Sequence, residues 1–166
     1  DIFCSTQLLL PQTGNVLLVG GDRTVNGVRN YAIKDINLFN PISKTLTKQP
    51  AMQYRRWYAT AVTTAQGEQV ILGGRDDRDW GGTPGAPATT ATFPITPEVY
   101  NRTTGWRTLP GATSDPAWGS VSGNWWYPQA WLAPNGRIIS VAHNGNIYSL
   151  NPAGTGALTK LPGKML

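Results

Sequence analysis

The stretch Arg56-Trp57-Tyr58-Ala59-Thr60-Ala61-Val62, a turn at Gln66-Gly67, and then Val70-Ile71-Leu72-Gly73-Gly74 decides how the whole chain is read. Two short apolar runs joined by a glycine turn specify a pair of strands rather than a helix. The same form occurs twice more. Upstream, Phe3-Cys4-Ser5-Thr6-Gln7-Leu8-Leu9-Leu10-Pro11 leads through a turn to Val16-Leu17-Leu18-Val19-Gly20-Gly21. Downstream, Trp126-Tyr127-Pro128-Gln129-Ala130-Trp131 leads through Pro134-Asn135-Gly136 to Ile138-Ile139-Ser140-Val141.

A second element follows each pair: Ile36-Asn37-Leu38-Phe39-Asn40-Pro41, Glu98-Val99-Tyr100-Asn101, and Asn146-Ile147-Tyr148-Ser149-Leu150-Asn151-Pro152. Each leads through a polar turn to a short fourth strand, at Leu46-Thr47, at Trp106-Arg107-Thr108-Leu109-Pro110, or at Leu158-Thr159-Lys160-Leu161-Pro162. Four strands per unit, with Gly-Gly after the second, match the kelch blade, whose period is about 50 residues. Cys4 and Tyr58 stand 54 positions apart, and Tyr58 and Tyr127 stand 69 apart. The longer interval holds an insertion from Asp76 to Thr96, rich in Gly, Pro, Thr and Ala.

The expected fold is therefore all-β: about three four-stranded blades of a larger kelch-type β-propeller of about seven blades. The blade-like units are placed at about residues 1–50, 51–112 and 122–164. A β-sandwich with regular hairpins explains the strands but not the recurrence of the whole pattern. A propeller closes with about 4–8 blades, and three leave a sheet edge open at each end. The chain is thus expected to be part of a longer protein.

Composition narrows the function. Among 166 residues, 40% are hydrophobic and 14% charged, a globular balance. The net charge is +5, yet the basic residues are scattered and their densest group is the pair Arg55-Arg56. That is not the clustered footprint of a nucleic-acid binder. No run approaches the roughly 18 apolar residues that mark a membrane span, and Asp1-Ile2-Phe3-Cys4 lacks the form of a signal peptide. A lone cysteine makes no internal disulfide, and a lone histidine makes no self-contained metal site.

Overlaying the units puts Cys4, Tyr58 and Tyr127 at one structural position, near the start of a strand. Equivalent residues of neighbouring blades converge at one end of the central channel, so a thiol and a phenol from adjacent blades are expected side by side. Spacing alone leaves two bland readings open: Cys4 as a small buried hydrophobe, and Tyr58 as a packed ring with its hydroxyl satisfied.

Phe3-Cys4, Arg56-Trp57-Tyr58-Ala59-Thr60 and Gly73-Gly74-Arg75 resemble the copper radical oxidases, the family of galactose oxidase and glyoxal oxidase. The resemblance covers nearly the whole chain. It implies a thioether between the Cys4 sulfur and the Tyr58 ring carbon beside the hydroxyl, with Tyr58 both copper ligand and radical. Such a second one-electron store lets one copper ion carry out a two-electron oxidation. In galactose oxidase a Trp two residues past the Gly-Gly stacks over the sulfur. Asp76 holds that place here, and Trp80 in the insertion is the nearest indole, either stacked there or packed in its loop. Phe3 is implied as a pocket residue.

Asn124-Trp125-Trp126-Tyr127-Pro128 and Leu132-Ala133-Pro134-Asn135-Gly136 look closer to the glyoxal oxidase branch. Galactose oxidase has an Arg where Pro128 stands. The implied reaction takes a small aldehyde or primary alcohol and reduces O₂ to hydrogen peroxide, in a secreted or cell-surface protein. The family's remaining ligands, two His and an axial Tyr, come from later blades and a C-terminal domain. His143 and Tyr127 are not read as ligands. The alternative is a non-catalytic kelch propeller that binds a protein or glycan. Asn101-Arg102-Thr103 is a glycosylation sequon, meaningful in a secreted eukaryotic protein, and Asp76-Asp77 with Asp79 reads as a solvated loop.

Overall fold

A computed structural model describes residues 2–25, 27–76 and 92–165. The first unit begins with β1 (Thr6–Leu10) and β2 (Asn15–Val19). A separate antiparallel hairpin follows, β3 (Asp22–Val25) and β4 (Val28–Ala32). Then come β5 (Ile36–Asn40) and β6 (Thr45–Gln49), which complete a four-stranded antiparallel sheet in the order β1-β2-β5-β6. The second sheet is a meander of β7 (Trp57–Thr63), β8 (Gln69–Arg75), β9 (Glu98–Asn101) and β10 (Gly105–Thr108). The third runs through β11 (Gln129–Leu132), β12 (Ile138–Val141), β13 (Asn146–Asn151) and β14 (Ala157–Lys164).

Successive side chains of a strand point to opposite faces, and β8 uses both. Ile71 joins Leu10, Leu17, Val19, Ile36 and Met52 in a core between the first and second sheets. Val70 and Leu72 face the other way, into a core shared with Ile138, Tyr148 and Leu150 of the third sheet. The second sheet therefore lies between the other two. A strand buried on both faces reads as a continuous apolar run, which accounts for Val70-Ile71-Leu72.

The second core also takes a one-turn helix, α1 (Asp115–Trp118). Ser114 caps it, its side chain accepting from the Ala117 N–H at 3.2 Å. Trp118 is fully buried, and its indole N–H donates to the Ala112 carbonyl at 3.0 Å. Neither α1 nor the β3–β4 hairpin was expected from the repeat.

Gly-Gly stands at the end of a second strand. Gly20-Gly21 follow β2 and lead into β3 and β4, and Gly73-Gly74 lie in the last residues of β8. In the third unit Ala142-His143 stands at that place and the chain turns straight back. The Gly145 N–H donates to the Ala142 carbonyl at 2.8 Å, and Ala142 pairs with Asn146 at 2.9 Å. Both glycine pairs also adopt positive φ, 62° and 99° in the first, 62° and 90° in the second. That left-handed region is costly for any residue with a Cβ.

Candidate functional site

Cys4, Tyr58 and Tyr127 share a backbone signature that is rare outside glycine. Their φ values are 53°, 66° and 43°, all left-handed. Each therefore turns the chain at the mouth of a first strand. In β7 the register sets Trp57 opposite Arg75 and Ala59 opposite Gly73, with Tyr58 turned out between them. A ladder links the three: the Tyr58 N–H donates to the Cys4 carbonyl at 3.1 Å, and the Tyr127 N–H donates to the Tyr58 carbonyl at 2.9 Å. A second rung runs parallel to it, from Gly21 N–H to the Arg56 carbonyl at 2.8 Å and from Gly74 N–H to the Trp125 carbonyl at 2.7 Å. The repeat thus becomes spatial convergence through backbone bonds between successive sheets.

The side chains meet as well. The Cys4 side chain lies near enough to both phenols to be among the causes that raise the pKa of Tyr58 and Tyr127. Their rings lie edge to face, centroids 5.1 Å apart at 83°. Trp57 covers Tyr58 with centroids 4.2 Å apart, and Trp126 and Trp125 stand 5.5 and 6.0 Å from it. Trp125 and Trp126 stack on one another at 17°, and the Arg75 guanidinium sits 5.5 Å from the Trp125 ring. Cys4 is a half-buried free thiol.

Burial first, then the Cys4 sulfur, pushes the Tyr58 phenol up to about 12. Burial and Cys4 push Tyr127 to about 12 too. Both are neutral hydroxyls at pH 7, able to donate to sulfur. An unfolded tyrosine ionises near pH 10, while these two keep their protons to about 12. Their contribution to stability is intact below about pH 10 and is lost as pH climbs to about 12. Tyr58 and Tyr127 are therefore expected to ionise well above pH 10 in a tyrosinate titration read by ultraviolet absorbance, with the late absorbance lost in Tyr58→Phe and Tyr127→Phe. Ionisation of these two near pH 10 would show that neither phenol is shielded from water.

The other sequence-picked residues are placed as follows. Phe3 is half exposed at the chain's approach to Cys4, and its carbonyl accepts from the Asp22 N–H at 3.1 Å. Trp80 lies outside the described residues. His143 is exposed, its backbone N–H held by the Asn124 side chain at 2.8 Å, and it shares a shallow cavity with Trp126, Tyr127 and Gln129. The Asn101 side chain makes a turn with the N–H groups of Thr103 and Thr104, at 2.9 and 3.1 Å. Asn40 bonds the Ile42 N–H at 2.9 Å and Asn151 the Ala153 N–H at 3.1 Å, so this asparagine is first of all a turn residue of the repeat.

Two features escaped the sequence reading. Tyr127 touches Cys4, although the overlay of equivalent positions already carried that signal. The other is Arg56, fully buried and paired with fully buried Glu98 at 2.9 Å.

Copper needs ligands of the imidazole, phenolate or thiolate kind. Tyr58 and Cys4 supply donors of that chemistry, but among the described residues no three His, Cys, Asp or Glu side chains gather in one place. Two donors of that chemistry fit a copper ion only in part.

No protein-family model and no curated protein matches this sequence. Among solved structures, the chain is similar to one described as a novel fungal alcohol oxidase with catalytic diversity among the AA5 family, in complex with copper. The TM-score is 0.71 and the identity 20%, over 96% of this chain and 30% of that one. The chain thus spans about a third of the length of that neighbour, and shares its fold over that span.

Proposed function

We propose that this chain forms three blades of a kelch-type β-propeller in a copper radical oxidase, with Cys4 and Tyr58 as its thioether cofactor. One observation carries the reading: repeat-equivalent Cys4 and Tyr58 are joined by a main-chain rung between adjacent units, and the Cys4 side chain is among the causes that raise the Tyr58 phenol. The fungal alcohol oxidase with copper, similar in fold, supports it.

The outer sheet faces fit a protein with further blades. On the first sheet Leu9, Val16, Phe39 and Leu46 line up in cross-strand register, with Leu9 and Leu46 62% and 58% exposed. On the third, Trp131 stands opposite Ile139 and is 54% exposed. Apolar rows of this kind are buried when another sheet packs on them. In such a protein, further blades and a C-terminal domain would supply the imidazoles and a second tyrosine.

The cofactor forms by an oxidation that balances. A bond joins Cys4 Sγ to the Tyr58 ring carbon beside the hydroxyl, the S–H and that ring C–H break, and two electrons and two protons reduce O₂ to hydrogen peroxide. In turnover, two electrons and two protons likewise pass from a primary alcohol or hydrated aldehyde to O₂. Copper, when bound, favours the Tyr58 phenolate and stores one electron. The protein's part is to hold the Tyr58 ring under Trp57, keep Cys4 against its hydroxyl, and present Phe3, Trp126 and Tyr127 to a small substrate. Pro128, in place of an arginine that binds sugar hydroxyls, favours the glyoxal oxidase branch and a small aldehyde. The site acts outside the cell.

The test is the state of Cys4 in full-length protein matured with copper in air. Intact mass is expected two hydrogens below the sequence value, with Cys4 refractory to a thiol reagent. Ready alkylation of Cys4 in that material would leave a non-catalytic propeller that binds a protein or glycan.

A further inference from the structure

Arg56 belongs to the Arg56-Trp57-Tyr58 run, but its side chain takes no part in the site. It points away, into the interior, with no exposed surface. Burial alone lowers its pKa and Glu98 opposes that shift. A buried guanidinium is stable only when paired and hydrogen-bonded, and this one is both. Nε donates to Glu98 Oε2 at 2.9 Å, one terminal nitrogen donates to the carbonyls of Gly73 and Pro94 at 2.5 and 3.1 Å, and the other donates to Thr96 at 2.6 Å. The second Glu98 oxygen accepts from the Gln53 N–H at 2.6 Å.

These bonds gather three separate pieces of chain: the exit of β8 at Gly73, the return of the insertion at Pro94 and Thr96, and the approach to β7 at Gln53. The main chain of Arg56 meanwhile faces the base of the β3–β4 hairpin of the first unit. Its N–H donates to the Ile33 carbonyl at 3.0 Å and its own carbonyl accepts from Gly21 at 2.8 Å. One residue therefore ties the first unit, through its backbone, to the second sheet and its insertion, through its side chain. Cys4 leads into β1 of the first unit, beside this base, where Phe3 accepts from Asp22, and Tyr58 belongs to the second sheet, two residues beyond Arg56.

We infer that Arg56, seated on Glu98, is the positioning residue that sets the offset between these sheets and so holds Cys4 Sγ against the Tyr58 phenol. The link from this pairing to cross-linking rests on the function proposed above; the pairing itself does not. Lysine at 56 keeps the charge but loses the planar fork that reaches carboxylate and carbonyls together. The sheets would then stay folded with their relative offset free to drift.

The experiment compares full-length wild type, Arg56→Lys, Glu98→Gln and a control, Leu150→Ala. Leu150 lies in the core of the third sheet, away from Cys4. Two readouts are taken on each. In copper-free, reduced protein, the rate of Cys4 alkylation is expected to rise about tenfold or more in both Arg56→Lys and Glu98→Gln, and to stay at the wild-type value in Leu150→Ala. In copper-loaded protein under air, the rate of the two-hydrogen mass loss is expected to fall by about tenfold in the same two variants.

Glu98→Gln keeps the side-chain volume, so the comparison survives if Arg56→Lys does not fold. Wild-type rates in both variants, or equal changes in the control at matched thermal stability, overturn the inference. If wild type itself shows no mass loss, the proposed function fails. The alkylation rates then still decide the positioning role.

Discussion

Tyr58→Phe in full-length, copper-matured protein is expected to abolish hydrogen peroxide production with every alcohol and aldehyde tried, while the fold persists. Phenylalanine keeps the ring that packs under Trp57 and beside Tyr127. It removes the oxygen that, under the proposed function, would bind copper. The variant also shows no two-hydrogen mass loss, and its Cys4 becomes open to alkylation. Tyr127→Phe is the informative partner. It too loses a phenol hydroxyl near Cys4, but that oxygen is not assigned to copper. Loss of one polar contact of the hydrogen-bond kind is worth about 0.5–1.5 kcal/mol, so turnover should fall by about tenfold at most. Equal inactivation by both changes would overturn the division of roles between the two phenols. Peroxide from Tyr58→Phe at the wild-type rate would end the oxidase reading.

The second large effect is on stability. Gly20→Ala is expected to cost about 2–5 kcal/mol. A Cβ at residue 20 would sit 2.4 Å from the Arg56 carbonyl oxygen, a backbone atom held by its own hydrogen bond. Overpacking of that kind costs about 1–3 kcal/mol. The φ of 62° adds left-handed strain of about 1–2 kcal/mol. Gly105→Ala separates the two contributions. Its φ is 82° but nothing lies within 4 Å of the added carbon, so only the strain is paid. Denaturant midpoints of the full-length variants give both values. An equal loss in the two would show that the sheets yield at Gly20, and that the close approach is not a fixed constraint.

How much of this could be read beforehand depends on how local each feature is. The twelve strands of the three large sheets were legible because each apolar run ends at its own turn and the pattern recurs. The β3–β4 hairpin was missed although Asn26-Gly27, a strong hairpin dipeptide, lies between its strands. The hairpin falls between the second and third strands of its unit and so outside the recurring four-strand pattern. Ser114-Asp115-Pro116 is a helix start that was too short to stand out. The convergence of Cys4 with Tyr58 was foreseen from equivalence of position. That Tyr127 comes to the same place, its N–H on the Tyr58 carbonyl, follows from the same equivalence. The Arg56–Glu98 pair had no sequence signal at all. Its members are 42 positions apart, and only the packed second sheet with its insertion shows that both are stripped of water.

The ladder from Cys4 to Tyr58 to Tyr127 also bears on how such a centre arises. Because each copy of the unit hands its left-handed residue to the next by a main-chain bond, tandem duplication delivers a fresh side chain to one shared point without inventing a loop. What that point then does is decided by single substitutions, here thiol, phenol, phenol, on a scaffold that need not be rebuilt.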